Sequence, residues 1–358
     1  MKKIISVLIA AFLTTGCLSA CGSANHANVN ASAGHDRLQI VTTIFPEYDW
    51  VMNILGDNPA NAEVTMLLDN GVDLHSYQPS ADDILKVSTC DMFIYVGGES
   101  DKWVKDALKE TTNKDMVVIN LLDILGDSVK EEELVEGMQE SEHEHEEEAG
   151  EHEDADEHEH EEEAGEHEDA DEHEHEEGEV EYDEHVWLSL QNAAALTAHI
   201  GEELQRIDAA NAQIYKTNCD AYIKKLNDLD NQYSDAVAAA PVHTLLFGDR
   251  FPFRYLTDDY GLTYYAAFAG CSAETEASFE TITFLSGKMD ELSLHAVMTI
   301  EGNDHRIAET IIQNTGAKDQ QILSMDSMQS TTSKDVANGE TYLSVMEKNL
   351  TALKEALK

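Results

Sequence analysis

Between Ala209 and about Ala238 the chain runs for thirty residues without a Gly or a Pro. The residues that break helices are absent over roughly 45 Å of helical rise. A helix of that length exceeds the needs of one small lobe and reads as a stiff spine lying along two. Both flanks support the division, because each alternates strand-like and helix-like runs. On the amino-terminal side Leu38 to Ile44, Ala62 to Leu67, Met92 to Val96 and Met116 to Asn120 are short apolar or β-branched runs. Helical segments fall between them: Glu47 to Leu55 after Pro46, Ser80 to Lys86 with Asp82 and Asp83 in its first turn, and Ser100 to Glu110. On the carboxyl-terminal side the strands are Thr244 to Phe247, Leu262 to Ala267, Ala296 to Ile300 and Gln321 to Leu323. The helices there are Ser278 to Leu292, with Phe279, Ile282, Leu285 and Met289 on one face, Arg306 to Asn314, and Tyr342 to Leu357. Leu190 to Gln205 precedes the spine as a further helix. Such alternation predicts an α/β fold of parallel sheets covered by helices.

The start of the chain is a targeting segment. Lys2 and Lys3 precede an apolar run from Ile4 to Leu13, which is too short to span a bilayer. Leu18-Ser19-Ala20-Cys21 then resembles a bacterial lipobox, which implies cleavage before Cys21 and acylation of its thiol. Residues 1–20 are thus expected to be a signal peptide and residues 21–37 a flexible tether, with the lipid bilayer as a partner. Three cysteines remain: Cys90, Cys219 and Cys271. They lack a close CxxC spacing, so no thiolate zinc site is readable; a Cys90–Cys271 or Cys219–Cys271 disulfide stays open, and buried free thiols are the favoured reading.

Net charge narrows the partners. The chain carries -50, and 24 acids without a Lys or Arg fall in residues 142–181, leaving the remainder at about -26. A surface this acidic excludes nucleic acid and favours cations. Within that stretch EHEHEEEAGEHEDAD stands at 142–156, repeats at 157–171 and starts again at Glu172. It has no apolar face at either helical or strand period and reads as a disordered loop over 142–178. Its eight histidines are His143, His145, His152, His158, His160, His167, His173 and His175. Acids alone would solvate a spacer; repeated imidazoles among carboxylates point to weak, exchangeable metal contacts.

Two other histidines stand in distinctive settings. His75 lies in Gly71-Val72-Asp73-Leu74-His75-Ser76-Tyr77-Gln78-Pro79-Ser80, directly after the second strand, where parallel sheets place ligands. His185 lies in Asp183-Glu184-His185-Val186-Trp187-Leu188, just before the helices of the linker. Together with the intervening His-rich tract these segments resemble the zinc- and manganese-type solute-binding lipoproteins of ABC transporters. That family has G-x-x-P-H-x-Y-x-P/S and D-P-H-x-W motifs, and here Leu74 and Glu184 replace the two prolines. The resemblance covers the chain from about residue 38 to its end. It implies two lobes, each a four-stranded parallel sheet with helices, joined by one long helix, with the metal site in the cleft. The boundaries become 38–189, 190–240 and 241–358 for the amino-terminal lobe, helical linker and carboxyl-terminal lobe.

The resemblance also implies the ligands. His75 and His185 supply the first two, and Asp326 in Ile322-Leu323-Ser324-Met325-Asp326-Ser327-Met328 fits the fourth. The third precedes an aromatic-rich segment ending here at Tyr260-Gly261. An ungapped count puts Arg250 there, which a cation site excludes, and a slip of one puts Asp249 there. Glu301 and His305 stay open as alternatives, while His199, His243 and His295 read as structural. The function implied is extracytoplasmic capture of zinc, or manganese, for the membrane permease of an ABC transporter, from a lipid anchor on the outer face of the bacterial membrane. A surface metal buffer or adhesin is the alternative. A zinc hydrolase is disfavoured because neither HExxH nor GxSxG occurs.

Overall fold

The computed structural model describes residues 37–139, 181–272, 275–302 and 304–358. The expected signal peptide, the expected acylation site Cys21, nearly all of the expected tether and the His-rich tract lie outside the described residues. The amino-terminal lobe runs β1 (Gln39–Thr42), α1 (Phe45–Leu55), β2 (Glu63–Met66), α2 (Ala81–Thr89), β3 (Met92–Tyr95), α3 (Val104–Ala107), β4 (Val117–Asn120) and α4 (Leu121–Leu125). Next come α5 (Leu190–Ile207) and α6 (Ala212–Ala239). The carboxyl-terminal lobe follows as β5 (Thr244–Phe251), α7 (Arg254–Tyr260), β6 (Thr263–Ala269), α8 (Phe279–Glu291), β7 (Ala296–Thr299), α9 (Arg306–Asn314), β8 (Gln321–Ser324), α10 (Ser333–Ala337) and α11 (Tyr342–Ala356).

Both sheets are parallel and four-stranded, with the orders β2-β1-β3-β4 and β6-β5-β7-β8. The identical order gives each lobe a switch point beside its first strand, where α/β sheets leave a crevice at the carboxyl ends of the strands. In β5 the register shifts between Phe247 and Arg250, so the strand runs past a bulge that carries Gly248 and Asp249.

The spine is α6. Tyr215, Cys219, Tyr222, Leu226, Leu229, Tyr233 and Val237 are its buried residues, at spacings of three or four. Its 28 residues span about 42 Å. It packs on α1 of the first lobe and on α7 and α11 of the second. Tyrosine hydroxyls fasten those contacts, Tyr222 Oη donating to Asp49 at 2.9 Å and Tyr233 Oη to the Met346 carbonyl at 2.6 Å. One apolar cluster contains side chains of both lobes and of the spine. Among the described residues no helix is long and apolar enough to cross a membrane.

Two expectations about the helices change. Ser100 to Glu110 is a turn, a single α-helical turn and a 3-10 turn rather than one helix, with Gly97 N–H bound to the Asp101 carboxylate at its start. Phe279 stands 84% exposed, whereas Ile282, Leu285 and Met289 are buried. Ser278 caps α8, so Phe279 is its first residue, where the helix has no preceding turn to face the core.

Candidate metal centre

His75 belongs to a 3-10 turn, Leu74–Ser76, that Asp73 caps by accepting from His75 N–H at 3.0 Å. His185 sits immediately before a second 3-10 turn, Val186–Leu188, and Asp183 Oδ1 accepts its backbone N–H at 2.9 Å. Each histidine is therefore aimed by an Asp two residues earlier, so the Asp of each motif is part of the geometry. The second turn is fastened to the far lobe. Trp187 Nε1 donates to the Ser327 carbonyl at 2.9 Å, Tyr342 Oη to the Trp187 carbonyl at 2.6 Å and Tyr255 Oη to the Asp183 carbonyl at 2.8 Å.

The two rings meet with Nε2 to Nε2 at 3.2 Å. Behind them, His185 Nδ1 lies 2.9 Å from Asp183 Oδ1. His75 Nδ1 lies 2.8 Å from Ser100 Oγ and 3.4 Å from Glu184 Oε2. With a proton on each Nδ1, facing these acceptors, each Nε2 would present a lone pair to the other ring. Glu184 is buried, which works against its charge, but His75 and Ser100 donate to it and hold its carboxyl below the usual range. Gly98, at φ +79°, lets the chain pass close to it; a Cβ there would lie 2.3 Å from Glu184 Oε1. Gln329 joins the same point. One end of its amide lies 3.0 and 3.2 Å from the Asp73 carboxylate and the other end 3.2 Å from His185 Nε2.

Two Nε2 lone pairs facing one another at this distance form an arrangement that a cation between them satisfies. In a tetrahedral zinc site with Zn–N bonds of 2.0–2.1 Å, two nitrogens stand about 3.3 Å apart. The observed separation of 3.2 Å already fits that edge. Among the described residues the group of potential ligand atoms within 4.8 Å of one another consists of His75, His185 and Cys271. The three cysteines among the described residues are free, Cys90 and Cys219 being buried and Cys271 half-buried.

The structure does not bring Asp249 or Asp326 to the imidazoles. Asp249 Oδ1 accepts from Arg250 N–H at 2.9 Å and Oδ2 from Ile300 N–H at 3.3 Å, although Asp249 does line the adjoining cavity. Asp326 Oδ1 accepts from Met328 N–H at 2.8 Å, and burial with the neighbouring Glu301 carboxylate pushes its carboxyl up to about 6. Glu301 in turn binds Ser327, its carboxylate accepting from both N–H and Oγ at 2.7 Å. His305 stands just ahead of α9, outside the convergent group. Arg250 forms an ion pair with Asp73. Burial opposes the charge on Asp73, but Arg250 and His75 together hold that carboxyl below its usual range. The cavity beside the rings, about 440 Å³, is lined in part by Asp73, His75, Asp249, Arg250 and Cys271.

Sequence reasoning missed three contributors. Glu184 looked like a replaced proline, Gln329 carried no motif, and Cys271 lacked a partner at metal-binding spacing. The available signal for Cys271 was positional, since it follows an apolar strand at the carboxyl edge of a sheet.

Residues 40–356 match the model of the family described as zinc-uptake complex component A, periplasmic. The zinc-binding lipoprotein AdcA of Streptococcus pneumoniae is 30% identical over 355 residues, which cover 99% of this chain and 61% of that protein. The chain thus spans about three fifths of the length of that relative. The high-affinity zinc uptake system protein ZnuA of Bacillus subtilis is 29% identical, with 98% and 96% of the two chains covered. The crystal structure of the Zn(II)-bound ZnuA-like domain of pneumococcal AdcA superimposes with a TM-score of 0.63 at 27% identity, covering 90% of this chain and 99% of that one.

Proposed function

The chain belongs to the zinc-uptake complex component A family, and we propose that it captures Zn2+ outside the cytoplasmic membrane and hands it to the permease of an ABC-type transporter. The observation that carries this reading is the pair of Nε2 atoms 3.2 Å apart, each on a ring whose Nδ1 lies beside an oxygen of Ser100 or Asp183. Zinc is cargo here, so the site must hold it firmly and yet release it. Both imidazoles come from chain segments of the amino-terminal lobe, while Ser327 and Tyr342 of the other lobe grip the turn behind His185. Relative movement of the lobes is thereby coupled to the position of one ligand. Acylated Cys21 is the proposed anchor, and the histidines of 142–178 are proposed to hold additional zinc more weakly. No catalytic step is part of this reading.

The test is competition titration of the full chain together with growth of a deletion strain under zinc limitation. Loss of outer-shell partners in metal sites costs about 10- to 100-fold in affinity. His75→Ala and His185→Ala, which remove ligands themselves, are expected to exceed that and to fail in restoring growth. Wild-type affinity in both variants refutes the assignment of the cleft as the capture site.

A further inference from the structure

Cys271 has no role in the reading above, yet its sulfur is the third atom of the convergent group. We propose that Cys271 is a zinc ligand of the cleft, binding as a thiolate beside His75 Nε2 and His185 Nε2, and that this sulfur makes the site prefer zinc to manganese. The inference rests on the proposed capture of zinc and names the donor that selects it.

Placement is the first argument. Cys271 follows β6 by two residues, at the carboxyl end of a parallel strand, and its N–H is held by Glu132 Oε1 at 3.1 Å. Gly270 brings it there. A Cβ on Gly270 would lie 2.9 Å from the Phe251 carbonyl oxygen, 3.1 Å from His185 Cε1 and 3.2 Å from His185 Nδ1. The backbone just before Cys271 therefore lies against the imidazole, and only a residue without a side chain permits the approach. The candidate atoms lie within 4.8 Å of one another. A tetrahedral zinc with bonds of 2.3 Å to sulfur and 2.0–2.1 Å to nitrogen sets an S–N edge of about 3.6 Å, within reach of a small side-chain adjustment.

The alternatives on the same lobe are committed elsewhere. Both oxygens of Asp249 accept backbone N–H groups, and the next residue, Arg250, brings a cation into the cleft that is paired with Asp73. The other two thiols are buried against backbone carbonyls, Cys90 at Val87 and Cys219 at Thr197. Cys271 has no disulfide and faces the cavity.

Chemistry then sets selectivity. On binding, the S–H bond breaks, the sulfur lone pair forms the S–Zn bond and one proton leaves to solvent. Two imidazoles and a thiolate suit zinc, whereas manganese favours oxygen donors.

The experiment loads the full-length protein with one equivalent of Co2+ as a spectroscopic substitute for zinc. The expected result is a thiolate-to-cobalt charge-transfer band in the near ultraviolet. Cys271→Ser and Cys271→Ala should lose the band, while Cys90→Ala and Cys219→Ala keep it. Competition titration should show the zinc-over-manganese preference falling at least tenfold in Cys271→Ser. A wild-type protein that binds cobalt without the band overturns the proposal and leaves zinc capture standing, provided His75→Ala still abolishes binding. A band that persists in Cys271→Ser also overturns it. Failure of the wild type to bind either metal defeats both readings.

Discussion

Gly270 offers a sharp test of how the site is held. Replacing it with Ala places a methyl group 2.9 Å from the Phe251 carbonyl oxygen and 3.1–3.2 Å from two atoms of the His185 ring. Ordinary contacts begin near 3.4 Å, so something must give by a few tenths of an ångström. The carbonyl belongs to β5, whose neighbours on the sheet resist movement. The ring is the softer element, held by the 2.9 Å contact with Asp183. In the metal-free protein it tilts away, and zinc binding must return it. Overpacking of this size costs about 1–3 kcal/mol, which is about 5- to 150-fold in zinc Kd. Gly287 is the control. It lies within α8 with nothing within 4 Å of a built Cβ, so Gly287→Ala should leave affinity alone and stabilise the helix by up to about 1 kcal/mol. Competition titration gives the affinities and thermal melts give the stabilities. A Gly270→Ala protein with wild-type Kd and wild-type Tm would refute the claim that backbone contact positions His185.

Two further outcomes follow from groups away from the rings. Glu47 is fully buried at the start of α1, with Oε2 accepting from Thr43 N–H, Thr43 Oγ1 and Ile44 N–H. Burial, helped by the charge of Asp101, pushes its carboxyl from 4.5 to about 8. The folded chain therefore keeps a proton that the unfolded chain releases, and the stability this gives is complete below 4.5 and lost as pH rises through 8. The swing is at most on the order of 5 kcal/mol. Glu47→Gln retains an acceptor without a charge and should flatten the dependence in urea melts between about pH 5 and pH 9; an unchanged slope counts against the buried proton. Deleting residues 142–177 removes eight histidines and no apolar side chain larger than Ala. Calorimetry should then show one tight zinc equivalent and no weaker binding, whereas loss of the tight event would place part of the main site in that tract.

The order of strands and helices was legible because it is written in local periodicity. Strands predicted at Met92, Thr244 and Ala296 begin at those residues, Arg306–Asn314 is the helix expected, and the Gly- and Pro-free stretch is the 28-residue α6. The two histidine motifs were legible too, since each carries its own aiming Asp two residues away. The rest of the site depends on neighbours distant in sequence. Asp249 and Asp326 have the chemistry of ligands, but only the folded loops show their oxygens turned to the N–H groups of Ile300 and Met328. Arg250, excluded as a ligand on charge, occupies the cleft because Asp73 of the other lobe neutralises it. Cys271 looked like an inert thiol, having no metal-binding spacing to any other residue. It reaches the histidines because β6 ends at the crevice, where the contact of Gly270 with His185 fixes the approach. Sequence alone determined which segments fold and which histidines are aimed; the packing of one lobe against the other decided which further donor meets them, because that convergence is set by strand order and interlobe contact rather than by spacing along the chain.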